Sequence, residues 1–371
     1  MYDVDLEQFW KDDEIAHEDN CFSTKSTQVA MGIRMSDECV FAELDEPGQP
    51  WGHTSRDRRM ELNKRYNDKA EKIVGKRLLS ENIPLEEENF PQIRQIGEVF
   101  GGEYIFNGEA TWLKGSCNTP KELELILDKA EGLNLREFIL PSNWEYEKKM
   151  LYEKYGKKPT LWRGVRGPVT LAMSIYGVEN LIYLMYDEPE LATRFSGVIS
   201  NIILKYIQIM DEEAGFEKGR APHGFGFSDD DCCLLTPEMY KLFGYPVLER
   251  IFNYCSPNTK DNRYQHSDSA MGHLLPILSN LDLTGCNFGP TLNVKEIRKF
   301  MPNTRIDGQL APFTFMNNDE KSIIEEVKRD CELIKPAKGL NLTTAGSINN
   351  GSLLTSMRVV MHSLQKYGRY I

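Results

Sequence analysis

The chain has 371 residues, of which 40% are hydrophobic and 27% charged, a balance typical of globular proteins rather than of disordered or fibrous chains. Its formal net charge of −12 argues against a nucleic-acid partner, which requires a basic surface. No apolar run approaches the roughly 18 residues that a membrane helix needs, so we expect no membrane partner.

The amino-terminal residues and the cysteines indicate a cytoplasmic protein. The segment from Met1 to Glu7 lacks the basic and apolar parts of a secretory signal. The eight cysteines are scattered and form no CxxC pair, which in a chain of this length favours reduced thiols over a disulfide framework. We therefore expect the protein in the cytoplasm.

Residues 1–95 are expected to form a mainly helical extension that packs on the main domain. This part is dense in charge and has few β-branched runs. Segment 56–78 predicts a helix with a strongly polar face. Segment 80–91 is acidic and contains Pro84 and Pro91, which predicts a connection.

From residue 96 onward, short apolar or aromatic runs alternate with helical stretches. The runs predicted as strands are 103–106, 160–164, 224–227, 263–266, 281–288, 304–308 and 339–342. The clearest predicted helices are 191–210, 294–301, 321–334 and 353–366. This alternation implies parallel βα units, and it predicts an α/β fold in which residues 96–371 form a (β/α)₈ TIM-type barrel. No GxGxxG or GxxxxGK[ST] motif supports a nucleotide-binding fold instead.

The active site of such a barrel lies at the carboxyl ends of its strands. His266 and Asp268 come at the end of run 263–266, and residues i and i+2 of extended backbone project to the same side. An imidazole and a carboxylate suit a Zn²⁺ ion, and they suit equally a general base with an orienting acid. The alternative is that the two side chains form a hydrogen-bonded pair, which connects two loops and has no catalytic role.

The densest acidic cluster of the barrel region is 229–231. Adjacent carboxylates raise one another's pKa, so either a cation lies among them, or some of them face water or cap the helix that begins at Thr236. We assign catalytic roles to Asp229 and Asp230 beside His266. His223 precedes the same strand and is a candidate substrate-binding residue, with a purely structural histidine as the alternative.

Three further side chains are candidates for the substrate site. Arg163 and Arg166 could hold a carboxylate or phosphate of the substrate, and ion pairs within the protein are the alternative. Cys286 follows a glycine near a strand end and could be a soft ligand or nucleophile. A buried cysteine that packs as a small apolar residue is its alternative.

From about residue 160 to its end, the sequence resembles the uroporphyrinogen decarboxylase superfamily. The resemblance covers more than half of the chain and includes the order and spacing of several segments, which implies a TIM-type barrel. Those segments are 166–172 (RGPVTLA), 235–240 (LTPEMY), the strand end at His266, 346–352 (GSINNGS) and 366–368 (KYG).

Two branches of the superfamily differ in their motifs. True decarboxylases carry an amino-terminal arginine-rich motif of the type RQAGRY, and residues 1–110 contain no match to it. The nearest basic run, 56–59 (RDRR), lies in a helical pattern without the glycine. The chain is therefore more similar to the other branch, the cobalamin-dependent methyltransferases, which act with a separate corrinoid protein.

The resemblance also implies a metal site. Thiol-methylating members of that branch hold zinc with an HxC pair and a later cysteine. Here the pair reads His266-Ser267-Asp268, with Asp268 in place of the first cysteine, and the later cysteine falls at Gly346. Histidine and carboxylate ligands suit an oxygen-bearing substrate such as a methyl ether. The acidic cluster and His266 would stabilise the leaving oxygen, directly or through the metal.

The sequence leaves three functions open. The leading one is an O-demethylase type of cobalamin-dependent methyltransferase, which passes a methyl group from a small substrate, such as an aryl methyl ether, to the corrinoid of a partner protein. The second is a decarboxylase or lyase of the uroporphyrinogen decarboxylase type that acts on another carboxylated substrate, and the third is a non-catalytic binding subunit. The oligomeric state stays open, with a homodimer as one option.

Overall fold

A computed structural model describes residues 2–52, 54–106, 111–335 and 337–370. Its helices are α1 Leu6–Cys21, α2 Cys39–Leu44, α3 Arg56–Val74, α4 Ile96–Val99, α5 Pro120–Gly132, α6 Leu135–Ile139, α7 Trp144–Tyr155, α8 Pro168–Tyr176, α9 Val178–Asp187, α10 Pro189–Glu213, α11 Pro237–Cys255, α12 Leu275–Leu278, α13 Val294–Phe300, α14 Pro312–Met316, α15 Glu320–Ile334 and α16 Leu354–Tyr367. Short 3₁₀ helices cover Glu86–Glu88, Asp230–Leu234, Gly272–Leu274 and Ser279–Leu281. The strands are β1 Ala30–Met31, β2 Glu103–Phe106, β3 Thr111–Lys114, β4 Gly164–Arg166, β5 Phe225–Ser228, β6 Arg263–Ser267, β7 Gly285–Phe288, β8 Arg305–Leu310 and β9 Leu340–Thr344.

Seven of these strands form one sheet in the order β1-β9-β8-β7-β6-β5-β4. The strand pairs β1–β9, β4–β5, β7–β8 and β8–β9 are parallel. Helices separate the consecutive strands from β4 onward, as parallel connections require. This arrangement confirms the predicted α/β fold of the TIM type, and α1 to α3 make the amino-terminal part mainly helical as predicted.

The chain divides into two compact units. The first comprises Met1–Ile83 and Gln265–Ile371, and the second comprises Pro84–Tyr264. The predicted boundary between an extension over 1–95 and a barrel over 96–371 stays a prediction.

In the first unit, α15 packs against α16, and α16 packs against α3. The buried apolar residues of α15 recur at helical spacing, with Ile323, Val327 and Ile334 on one face. This periodicity explains why the helix was predictable from the sequence alone.

In the second unit, the long helix α10 packs against α11 and α5. Phe195, Ile199 and Ile203 are fully buried on its inner face. Helices α8 and α9 meet at Gly177, whose φ of 93° allows an angle of 102° between them. No helix in the described ranges is by itself long and apolar enough to cross a membrane, although this bent pair meets the length and composition criterion together.

Two strands have pairings that the sequence did not predict. Residues 103–106 form β2, but β2 pairs antiparallel with β3 in a separate two-stranded sheet, with Glu103 opposite Lys114. The short separation of the two strands suits a hairpin, whereas a parallel pair needs a longer crossover. Strand β1 lies in the predicted extension and pairs with β9, so Ala30 is opposite Asn341. Two residues are too few to show a strand periodicity in the sequence.

Candidate functional site

The end of β6 carries the histidine and aspartate of the predicted site. His266 is half-buried, while its neighbours Gln265 and Ser267 are fully buried. The strand ends at Ser267, so Asp268 is the first residue of the following loop and is exposed. The alternation of a strand thus turns His266 away from the face that buries its neighbours.

Two glycines make room for Asp268. A methyl group placed on Gly346 would lie 3.0 Å from the Asp268 Cβ and 3.6 Å from its Oδ2. A methyl group on Gly289 would lie only 2.4 Å from the Asp268 carbonyl oxygen. Gly346 also has a φ of 130°, a backbone conformation that other residues rarely adopt. A larger residue at either position would therefore displace Asp268.

Buried side chains hold both glycine loops in place. The Gln309 Nε2 donates to the carbonyl oxygens of Gly289 at 3.2 Å and of Leu292 at 2.9 Å. The Thr344 hydroxyl donates to the Gly346 carbonyl oxygen at 2.7 Å. The sequence did not single out these supporting roles, because nothing in a local pattern shows which loop a strand-end amide will reach.

Asp229 is fully buried at the end of β5. Its Oδ1 accepts a hydrogen bond from the Thr170 backbone N–H at 2.8 Å. Burial raises the pKa of this carboxyl to about 7, although the hydrogen bonds from Thr170 and Val169 oppose the shift. A methyl group on Gly167 would lie 2.1 Å from the Asp229 Cβ, so the absence of a side chain at Gly167 is what admits the carboxyl.

The other two aspartates of the cluster are only half-buried. Asp230 begins the 3₁₀ helix Asp230–Leu234. The Asp231 backbone N–H donates to the Thr170 hydroxyl at 3.0 Å, and burial raises the pKa of its carboxyl while Arg166 opposes that shift. Thr236 caps α11 with its own side chain, which accepts from the Met239 N–H. The roles predicted for the acidic cluster stay predictions.

The two arginines of the predicted substrate site have different surroundings. Arg163 precedes β4 and forms an ion pair with Asp211 at 2.6 Å, and its Nε donates to the Pro222 carbonyl oxygen at 3.1 Å. Arg166 is the last residue of β4 and is exposed. Among the described residues, its guanidinium forms no hydrogen bond or ion pair. Arg166 is thus the arginine that has donors available for a ligand.

His223 contacts side chains of the protein itself, and Cys286 is buried. The His223 Nδ1 lies 2.9 Å from the Asp261 Oδ2 and 3.1 Å from the Asn258 Nδ2, at the amino end of β5. Cys286 is fully buried in β7, and burial raises the pKa of its thiol well above the usual range. A thiol in that state is a poor nucleophile and a poor metal ligand. Their substrate roles stay predictions.

Each unit therefore contributes a distinct chemical capability. The first presents a nitrogen and an oxygen ligand at the end of β6, a donor set that fits a borderline or hard cation. The second holds a carboxyl group whose pKa lies near neutrality beside two half-buried carboxylates.

The family model described as uroporphyrinogen decarboxylase (URO-D) matches residues 148–367. No curated protein gives a significant match. A solved structure of a methyltransferase from Methanosarcina mazei is similar to this chain with a TM-score of 0.58 and 15% sequence identity, over 98% of this chain and 99% of that chain. At this identity the similarity shows a shared fold.

Proposed function

We propose that this chain, which belongs to the uroporphyrinogen decarboxylase family, is a methyltransferase component that removes a methyl group from a small methylated substrate and passes it to a corrinoid protein. An aryl methyl ether is the substrate class that the site suits best. Family membership supports an enzyme, and the fold is shared with a protein named as a methyltransferase.

The close approach of Gly346 to Asp268 is the observation that carries the choice of substrate. A site that activates a thiol needs soft sulfur ligands, because they stabilise a thiolate on the metal. The positions at which the methyltransferase branch has cysteines are here an aspartate and a glycine 3.0 Å apart, measured from a Cβ placed on the glycine to the Asp268 Cβ. Oxygen and nitrogen ligands favour an oxygen-bearing substrate instead.

His266 and Asp268 would hold the cation, for which Zn²⁺ matches the mixed nitrogen and oxygen donors. When bound, the cation would supply electron withdrawal from the ether oxygen. The residues of this chain would orient that oxygen, and Gly346 and Gly289 leave the space that Asp268 occupies.

The acidic cluster divides into a positioning residue and a residue that could reach the substrate. Asp229 is completely buried, so we propose that it positions the segment that contains Thr170 rather than touching the ligand. Asp230 is half-buried and is our candidate for the carboxyl that handles the proton of the leaving oxygen.

In the proposed reaction the bond between the methyl carbon and the ether oxygen breaks. The bonding electrons stay on the oxygen, which becomes a phenolate and then takes up a proton. The reduced corrinoid of the partner protein supplies the nucleophile that accepts the methyl group. The chain itself binds the ether, excludes water and stabilises the charge on the oxygen.

The test is to mix the purified protein with methoxylated aromatic compounds and a reduced corrinoid, free or protein-bound. We expect the absorption change that accompanies methylation of the corrinoid, together with one equivalent of the phenol. If no corrinoid accepts a methyl group from any such compound, the proposal is wrong. Release of CO₂ from a carboxylated compound without any corrinoid would favour a decarboxylase.

A further inference from the structure

We propose that a cavity beside β4 binds an aromatic carboxylate, so that the methylated substrate is an aromatic acid. The cavity has a volume of about 490 Å³ and lies entirely in the second unit. The residues that matter for its chemistry are Tyr104, Trp162, Tyr206, Gln95 and Arg166. Its size falls within the range of about 300–1,000 Å³ that is usual for small-molecule sites.

One wall of the cavity is aromatic and held in place. The rings of Trp162 and Tyr206 lie 4.3 Å apart between centroids and are tilted by 34°. Tyr206 is fixed because its hydroxyl donates to the Arg94 carbonyl oxygen at 2.8 Å. Trp162 also makes an edge contact with Phe225 at 5.9 Å. A half-buried tryptophan that is fixed in this way offers a flat apolar surface on which a benzene ring can stack.

The cavity also contains a cation that makes no hydrogen bond or ion pair within the described part of the chain, although it lies near enough to Asp231 to oppose the rise in the pKa of that carboxyl. Arg166 lies on its lining, and its guanidinium forms no hydrogen bond or ion pair there. The planar donors of a guanidinium match the two oxygens of a carboxylate, so an anionic ring substituent would satisfy them. Arg163 is three residues away but is committed to Asp211, which leaves Arg166 as the anion-binding group.

The cavity is connected through the backbone to the acidic cluster. Gly167 directly follows Arg166, and it is the residue against which the Asp229 side chain packs. The anion-binding group therefore lies at the carboxyl end of β4, where substrates bind in this kind of fold. The link to methyl transfer rests on the proposed function, whereas the binding of an aromatic acid does not.

Binding can be measured without any corrinoid by the quenching of tryptophan fluorescence. The probes are 4-methoxybenzoate, benzoate and the neutral analogue methoxybenzene. We expect both acids to bind with similar Kd values and methoxybenzene to bind at least about tenfold more weakly, because it lacks the charge. Equal affinity for methoxybenzene and 4-methoxybenzoate, or no binding of either acid, would overturn the proposal.

Two variants locate the site and one serves as the control. Arg166→Gln should raise the Kd of both acids by about tenfold or more and leave the affinity for methoxybenzene unchanged. Trp162→Phe should remove most of the quenching. Arg220→Gln changes an exposed arginine of the same unit outside the cavity and should leave every Kd unchanged. An Arg166→Gln protein that folds, as judged by circular dichroism, and still binds the acids normally contradicts the assignment.

Methyl transfer is then measured separately with 4-methoxybenzoate. If the acids bind as expected but no methyl group is transferred, the cavity proposal stands and the proposed function fails. If methyl transfer occurs with the same KM in the wild type and in Arg166→Gln, the function stands and the cavity proposal fails.

Discussion

The side chain of Asp268 lies beside Gly346, so closely that a methyl group on this glycine would be 3.0 Å from the Asp268 Cβ and 3.6 Å from its Oδ2. The two residues are 78 positions apart in the sequence, at the ends of β6 and β9. A side chain at position 346 would require Asp268 to move by a few tenths of an ångström. The position of the Asp268 side chain therefore depends on the identity of residue 346.

The first prediction concerns Gly346→Ala. The φ of 130° and the contact with Asp268 both oppose a side chain, so we expect the free energy of unfolding to fall by about 1–3 kcal/mol. Gly197→Ala is the matched control, because nothing lies within 4 Å of a methyl group at this position in α10. The control should be neutral or stabilise the protein by up to about 1 kcal/mol. Urea unfolding of both variants measures the difference, and similar stabilities would contradict the strained conformation.

The second prediction concerns metal content. His266→Ala removes the nitrogen ligand of the proposed site, so we expect bound zinc to fall from about one equivalent to a trace and methyl transfer to fall by orders of magnitude. The melting temperature should hardly change, because His266 is only half-buried. The control is His362→Gln, a half-buried histidine whose Nδ1 lies 2.8 Å from the Asp3 carbonyl oxygen. A wild-type protein without stoichiometric zinc, measured by elemental analysis, would rule out the metal site.

Much of the fold was predictable because periodicity is a local signal. The α10 and α15 helices follow from apolar spacing, and β5 to β9 follow from short runs that end in polar residues. Residues 103–106 were recognised as a strand but were placed among the parallel strands of the barrel, whereas they pair antiparallel with β3. The pairing of a strand can be predicted only when its partner strand is recognised. The partner β3 was not recognised, because it has only four residues in a polar part of the sequence.

The candidate site was predictable only in part. The sequence identified His266, Asp268 and Asp229 as strand-end residues, because each lies at or just after the end of a predicted strand. It gave Arg163 and Arg166 the same role, although Arg163 forms an ion pair with Asp211 and Arg166 does not. The predicted run 160–164 shares only Gly164 with β4, which is Gly164–Arg166. A shift of two residues in a strand end decides which arginine faces a ligand, and local propensity does not resolve strand ends so finely.

The third prediction separates the two arginines by stability. Arg163→Gln leaves the buried Asp211 without its ion-pair partner, and burial already raises the pKa of that carboxyl. We expect the free energy of unfolding to fall by about 3 kcal/mol at neutral pH. Arg166→Gln should change it by less than about 0.5 kcal/mol, because Arg166 is exposed. If Arg163→Gln is as stable as the wild type and instead weakens substrate binding, the substrate role predicted for Arg163 is correct.

The last prediction concerns the pH dependence that Asp229 gives to stability. Burial raises the pKa of this carboxyl from 3.8 to about 7 in the folded chain, with Asp230 adding a smaller shift in the same direction. Between these two values the folded state keeps a proton that the unfolded state has released. The free energy of unfolding that Asp229 contributes is thus fully present below about pH 4 and is lost as the pH rises to about 7. Above about pH 7 this residue no longer changes the stability with pH.

The Asp229→Asn variant isolates this effect, because an amide resembles the protonated acid and does not titrate. The variant should match the wild type near pH 4 and exceed it by on the order of 4 kcal/mol at pH 8, since one pKa unit corresponds to about 1.4 kcal/mol. Urea unfolding of both proteins from pH 4 to pH 8 measures the difference, in which the other buried acids cancel. If the free energies of unfolding of the two proteins change with pH in parallel, Asp229 titrates like an ordinary aspartate. A cation or water would then contact its carboxylate in the folded state.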